Sequence, residues 1–170
     1  MSEHRSDSLT LKEAFQEADF YGKTALLFSS WFGAGLVPGA PGTFGSLAAL
    51  PPVIIVNYLG IVYAIISLIT LIPLAVWASD VSQRLLGRDD PREVVIDEVV
   101  GLLIAVFLLP LTWLNIILGF LLFRIFDIFK PFPIGMIDKN IKGGIGIVLD
   151  DILAGIYANL CVRCLLWFFG

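Results

Sequence analysis

Three long apolar blocks dominate this 170-residue chain and restrict it more than any other feature. The first runs from Leu47 to Ala78, broken at Asn57–Gly60. The second runs from Val99 to Phe123 and past Arg124 to Phe129. The third runs from Ile152 to Phe169. A membrane-crossing helix needs about 20 predominantly apolar residues. The first two blocks are long for one helix and short for two full spans, so each reads as a kinked helix or as a hairpin of short helices. With 58% hydrophobic and 15% charged residues, the chain is far more apolar than a soluble domain, which carries roughly 25% charge. That excludes disorder, nucleic-acid binding and an ordinary cytosolic enzyme.

Charge position separates the two readings. Nine of the eleven basic residues fall in three segments: Arg5, Lys12 and Lys23; Arg84, Arg88 and Arg92; Lys130, Lys139 and Lys142. The positive-inside rule places all three on the cytoplasmic side. Each of the first two blocks must then cross an even number of times, so each is a hairpin. Asn57–Gly60 and Leu109–Asn115, with Pro110, supply the turns. The expected fold is all-α: one membrane-embedded domain of about five short helices, with its polar groups at the cytoplasmic face. The N-terminal stretch is charged and unlike a signal peptide. Thr10 and Glu13 have capping-box spacing, with Leu9 and Ala14 placed as a staple. They predict an amphipathic helix over about 11–20, with Leu11, Phe15 and Ala18 on one face, lying on the membrane surface or on the protein itself. Trp167–Phe169 reads as an interfacial anchor.

Two glycine-rich loops stand out. Gly33–Ser46 (GAGLVPGAPGTFGS) opens into an apolar helix that Thr43 or Ser46 can cap. Backbone N–H groups at such a helix start suit a phosphate, which makes Gly42, Thr43 and Ser46 candidates; a tight turn entering the membrane is the alternative. No Walker A lysine follows. The second loop, Lys142–Asp151 (KGGIGIVLDD), repeats the pattern with Gly143 and Gly144. Asp150 and Asp151, like Asp97 and Glu98, read as carboxylates at helix starts, where they complement the macrodipole. Asp127 has no such explanation. It sits near the end of a helix, where an anion opposes the dipole, among Phe and Ile at membrane depth. Arg124 and Lys130 lie three residues to either side, and a structural salt-bridge trio remains open.

In the hairpin topology these groups meet at one interface. Five carboxylates, Asp97, Glu98, Asp127, Asp150 and Asp151, converge with Arg124, Lys130 and the glycine loops. Such a concentration of negative charge calls for cations, and oxygen-only ligands select Mg²⁺ or another hard ion. Mg²⁺ could polarise a phosphate and activate water, while Arg124 and Lys130 hold the remaining phosphate oxygens. Other phosphatase chemistries lack their residues. Cys161-Val-Arg163-Cys164 is not Cys-x₅-Arg, Asp-x-Asp is absent, and His4 is the one histidine. Cys161 and Cys164 read as small apolar helix residues. Arg163 either snorkels or pairs internally.

At these motifs the chain resembles the phosphatidylglycerophosphatase A family. The matching stretches are Gly33–Ser46, Asp97-Glu98 with Gly101, Phe123–Ile134 (FRIFDIFKPFPI) and Gly143–Gly155 (GGIGIVLDDILAG). Ile96 departs from the aromatic residue expected before Asp97. The resemblance implies a Mg²⁺-dependent phosphatase of the bacterial inner membrane. Such an enzyme converts phosphatidylglycerophosphate to phosphatidylglycerol, with its site facing the cytoplasm. It implies Asp97, Glu98, Arg124, Asp127, Lys130, Asp150 and Asp151 as the polar site, with Asp97, Arg124, Asp127 and Lys130 in catalysis. Direct attack by water and an aspartyl-phosphate intermediate both remain open. The competing class is a small cation or phosphate transporter using the carboxylates as a relay. It would want charges near the midplane and an inverted repeat, and no repeat is visible.

Overall fold

The computed structural model describes residues 9–169. Arg5 and His4 lie outside the described residues. Eight helices follow one another: α1 Leu11–Glu17, α2 Phe20–Ser29, α3 Pro41–Leu59, α4 Ile61–Leu86, α5 Ile96–Ala105, α6 Trp113–Phe129, α7 Ile134–Asn140 and α8 Gly143–Phe169, with a 3₁₀ turn at Ala34–Leu36 between α2 and α3. No strand occurs among the described residues. Helices α3, α4 and α8 are long and apolar enough to cross a membrane.

The two hairpins are present. Gly60, at φ 106°, turns α3 directly into α4, in a conformation that favours glycine. The arms are longer than the apolar block suggests. Helix α3 already starts at Pro41, and α4 continues beyond Ala78 until Gly87 adopts the left-handed conformation and closes it. The second hairpin is shorter. Helix α5 has ten residues, about 15 Å at 1.5 Å per residue, half of a hydrocarbon core about 30 Å thick. Thr112 caps α6 by accepting from the Asn115 N–H at 3.2 Å, and Lys130 ends it in the left-handed region.

The capping box at α1 forms, with the Glu13 carboxylate accepting from the Thr10 N–H at 2.9 Å and its hydroxyl at 2.7 Å. Those bonds hold the Glu13 carboxyl below the ordinary glutamate value. The helix is shorter than expected, and of the expected face Leu11 and Ala18 join the packed cluster while Phe15 does not. It stops at Glu17, buries Leu11 and Ala14, and leaves Phe15 exposed. Ala14 packs with Leu26 and Leu86, because a second helix, α2, unforeseen in the sequence, starts at the Asp19 cap.

Helices α5 and α8 form the centre. A Cβ on Gly101 would fall 2.8 Å from the Asp151 carbonyl oxygen and into the Phe123 ring. One on Gly155 would lie 3.1 Å from the Ile104 Cβ. These paired glycines set how closely the two helices approach. Phe123, Leu102, Leu103, Val99 and Ala154 fill the core around them. Ala75, Val100 and Val148 seal α4 against the same pair.

Candidate active site

The starts of α3, α5 and α8 and the end of α6 meet at one end of the bundle around an open cavity of about 830 Å³. Loop 89–94 and helix α7 complete its wall. Of the residues singled out in the sequence, Gly42, Thr43, Asp97, Glu98, Arg124, Asp127, Lys130, Gly143, Asp150 and Asp151 all line it.

Arg124 organises one side. Its Nη1 lies 2.7 Å from Asp127 Oδ2, 3.3 Å from Glu98 Oε1 and 3.4 Å from Ser46 Oγ. One guanidinium thereby ties α6 to α5 and α3. Gly42 makes room for it, since a Cβ there would sit 3.0 Å from Arg124 Nη2 and against the Glu98 carboxylate. Gly42 and Thr43, in the first turn of α3, line the same cavity, and their N–H groups have no intrahelical partner, because that pattern begins with Phe44 N–H to Ala40 O.

Lys130 organises the other side. Its ammonium lies 2.6 Å from Asp150 Oδ2 and 2.7 Å from Asp138 Oδ1. Burial alone would lower its pKa; the bonds to Asp138 and Asp150 prevail and raise it above the ordinary lysine value.

Among the residues lining the cavity, three carboxylate oxygens are buried with no hydrogen-bond partner: Asp97 Oδ1, Glu98 Oε2 and Asp151 Oδ2. Asp151 is 2% exposed and Glu98 8%. Leaving such atoms bare is costly, and a cation answers that cost. The donors are all oxygens, the set a hard divalent ion takes. They fit such an ion by chemistry and by their lack of protein partners. They do not form a ready-made cage, because among the described residues no group of three or more His, Cys, Asp or Glu side chains is already arranged to hold a metal.

Several expectations are corrected. Asp150 and Asp151 do not begin a helix, because α8 starts at Gly143 and carries them two turns in. Their burial therefore has no helix-start explanation. Asp97 and Glu98 do lie in the first turn of α5. Neither Thr43 nor Ser46 caps α3. Ala40 occupies the cap and Ser46 donates back to the Gly42 carbonyl at 2.9 Å. Gly144 is not among the residues lining the cavity; it packs against α4, where a Cβ would strike the Val76 carbonyl, and its N–H faces Asp80 Oδ1 at 3.4 Å. Lys130 does not join Asp127, because the left-handed turn at the end of α6 redirects it to α7 and α8. Cys164 is exposed on α8 and Cys161 half-buried. Asp89, Asp90, Arg92 and Asp138 line the cavity without having been singled out. They sit in irregular or short segments where no periodic pattern marks them.

The family model described as phosphatidylglycerophosphatase A matches residues 27–166. The chain belongs to the phosphatidylglycerophosphatase A family. A Haemophilus influenzae protein of that name is 40% identical over 138 residues, covering 80% of this chain and 85% of the relative. An Escherichia coli protein of the same name is 38% identical over 133 residues, 76% of each chain. A Bacteroides thetaiotaomicron protein, provisionally named a phosphatidylinositol-3-phosphatase, is 34% identical over 153 residues, 85% of this chain and 95% of its own. No solved structure matches. Membership makes this family member a phosphatase, and its apolar helices make it a membrane protein.

Proposed function

We propose that the chain is a Mg²⁺-dependent phosphatase that removes the terminal phosphate of phosphatidylglycerophosphate, yielding phosphatidylglycerol. In this reading it works at the cytoplasmic face of a bacterial inner membrane. The observation that carries the reading is the meeting, in one cavity, of three unpartnered buried carboxylate oxygens with the Arg124 guanidinium. The substrate follows from the names of the Haemophilus and Escherichia relatives, and the face of the membrane from the clustering of basic residues.

Each residue then has a task. Asp97, Glu98 and Asp151, with Asp127 and Asp150, would hold the cation. Bound there, it would supply Lewis-acid charge neutralisation and a lowered pKa for water. Arg124 offers its guanidinium to the non-bridging phosphate oxygens, where charge is spread in the transition state. The Gly42 and Thr43 N–H groups add fixed dipoles from the start of α3. Lys130, held between Asp138 and Asp150, places a second positive charge opposite Arg124. The five carboxylates gather in one cavity at one end of the bundle, which favours hydrolysis over transport.

Purified protein, assayed for phosphate release from phosphatidylglycerophosphate with and without Mg²⁺, tests the reading. Phosphatidylinositol 3-phosphate serves as the competing substrate. Release is expected from the first lipid, with Mg²⁺ required. Undiminished turnover in excess EDTA would remove the metal, and preference for the inositol lipid would remove the substrate assignment.

A further inference from the structure

Helices α3 and α6 both pack on α5 and both line the cavity, yet they scarcely pack on one another. What joins them at the cavity end is a side chain, Arg124, reaching Ser46 at 3.4 Å. From there a seam runs along the bundle toward the opposite end.

The helix faces bordering the seam follow from known contacts. On α6, Phe126 stacks edge-on against Tyr157 of α8, and Phe123 points into the core. The flank next to Arg124 on the other side carries Ile117, Leu121 and Ile128, at the spacing of one helical face. On α3, Gly42 and Ser46 face Arg124 and Gly45 faces Val95, so the flank turned toward α6 carries Thr43, Leu47 and Leu50. Leu47, Ile117, Leu121 and Ile128 are each 44–64% exposed. Exposed aliphatic side chains of α3 and α6 thus flank a line where the two helices scarcely pack, and at the cavity end of that line sits Arg124. The opposite flank of the cavity is closed, because α6 and α8 pack tightly and Lys130 bonds Asp150 between them.

We propose that the α3–α6 seam is the side access for a membrane-resident lipid phosphate, with its acyl chains lying against Leu47, Leu121 and Ile117 and its phosphate meeting Arg124. This rests on the phosphatase reading, since a lipid substrate reaches an interfacial cavity most cheaply if its chains never leave the hydrocarbon. Each methylene exposed to water would cost about 0.8 kcal/mol. Complementarity selects the occupant. A neutral lipid fits the aliphatic walls equally well, but only an anionic head pairs with the guanidinium at their end.

The test labels the full-length protein in phosphatidylcholine vesicles with a diacyl lipid phosphate carrying a photoreactive diazirine on an acyl chain. Mass spectrometry then locates the adducts. Adducts are expected within 43–54 and 117–128, and they should fall about tenfold with excess unlabelled lipid phosphate. Equal excess of neutral diacylglycerol should leave them unchanged. Leu121→Trp, which fills the seam, should lower the same adducts, while Ile66→Trp on the outer face of α4 should not. Adducts spread evenly over the outer faces, or indifferent to the phosphate competitor, overturn the proposal. Competed adducts in the seam without phosphate release in solution would leave the access route standing and refute the phosphatase reading alone.

Discussion

Ending α5 after ten residues creates a problem that α8 solves, and the solution can be measured. The C-terminal carbonyls of a helix have no intrahelical partner, and here they face the interior of a membrane bundle. Asn159 Nδ2 donates to the Ile104, Ala105 and Phe107 carbonyls at 3.2, 3.1 and 2.9 Å. Arg163 Nη2 donates to Phe107 O at 3.0 Å and Leu108 O at 3.3 Å, and its Nε holds Asn159 Oδ1 at 2.7 Å. Asn159→Leu would not orphan all three carbonyls. Ile104 O still receives the Phe107 N–H at 3.1 Å, and Phe107 O keeps Arg163. Ala105 O alone loses its donor, a loss of about 1–3 kcal/mol for a buried unsatisfied group. Measured side-chain hydrogen bonds in membrane bundles average about 0.6 and reach about 1.7 kcal/mol, so we expect roughly 1–2 kcal/mol. Arg163→Leu should cost a similar amount, through Leu108 O and a lost cation at a helix C-terminus. In the double variant Phe107 O loses both donors. The combined loss should therefore exceed the sum by about 0.5–1 kcal/mol. Equilibrium unfolding in mixed detergent micelles reads all four corners of the cycle. Single variants as stable as the parent, or strict additivity, would refute the clamp.

Other outcomes follow from the cavity and the topology. Asp127→Asn should reduce turnover at least about a hundredfold if its charge serves the site. Unfolding should shift by only about 1 kcal/mol, since Arg124 keeps Glu98; phosphate release and thermal unfolding on one preparation separate the two. Single cysteines at positions 23, 88 and 139, in a cysteine-free background, should all label from the same side of sealed vesicles; position 88 labelling from the opposite side to 139 would break the second hairpin. Cys161→Ser with Cys164→Ser should keep activity within about threefold, because neither thiol has an adjacent base or arginine loop; complete loss in folded protein would implicate a thiol.

Much of the site was legible because its residues violate ordinary placement. Asp127 at a helix end, among phenylalanines, has no structural excuse in the sequence, and it lies in the cavity. The hairpins were legible from the distribution of lysine and arginine. What escaped depends on backbone paths that composition does not encode. Gly143–Gly146 looks like a loop, yet it is the first turn of α8. Gly144 and Gly146 are small because the Val76 and Ile141 carbonyls press on them. Lys130 seemed to share a face with Asp127 because regular helical spacing was extended one residue too far; its φ of 43° breaks that spacing. Helix α2 had its signal, Asp19 accepting from Gly22 N–H at 2.8 Å, but the mixed polar and apolar run after it hid the period.

The decisive element is α8, which serves both ends of α5 from one stripe. Asp151, Gly155, Asn159 and Arg163 recur at four-residue intervals and meet α5 in register along its length. Asp151 lies beside Gly101 and presents a bare carboxylate oxygen to the cavity. Gly155 lies against the Gly101 carbonyl at the closest approach of the helices. Asn159 and Arg163 close the far end. Shifting α8 by a single residue would rotate it about 100° and break all of these contacts together. The register that satisfies the buried carbonyls of a truncated helix is therefore the register that sets Asp151 beside the start of α5. A helix ended inside the bundle and a carboxylate left without a partner are thus two consequences of the same packing, the first stabilised by α8 and the second left available for chemistry.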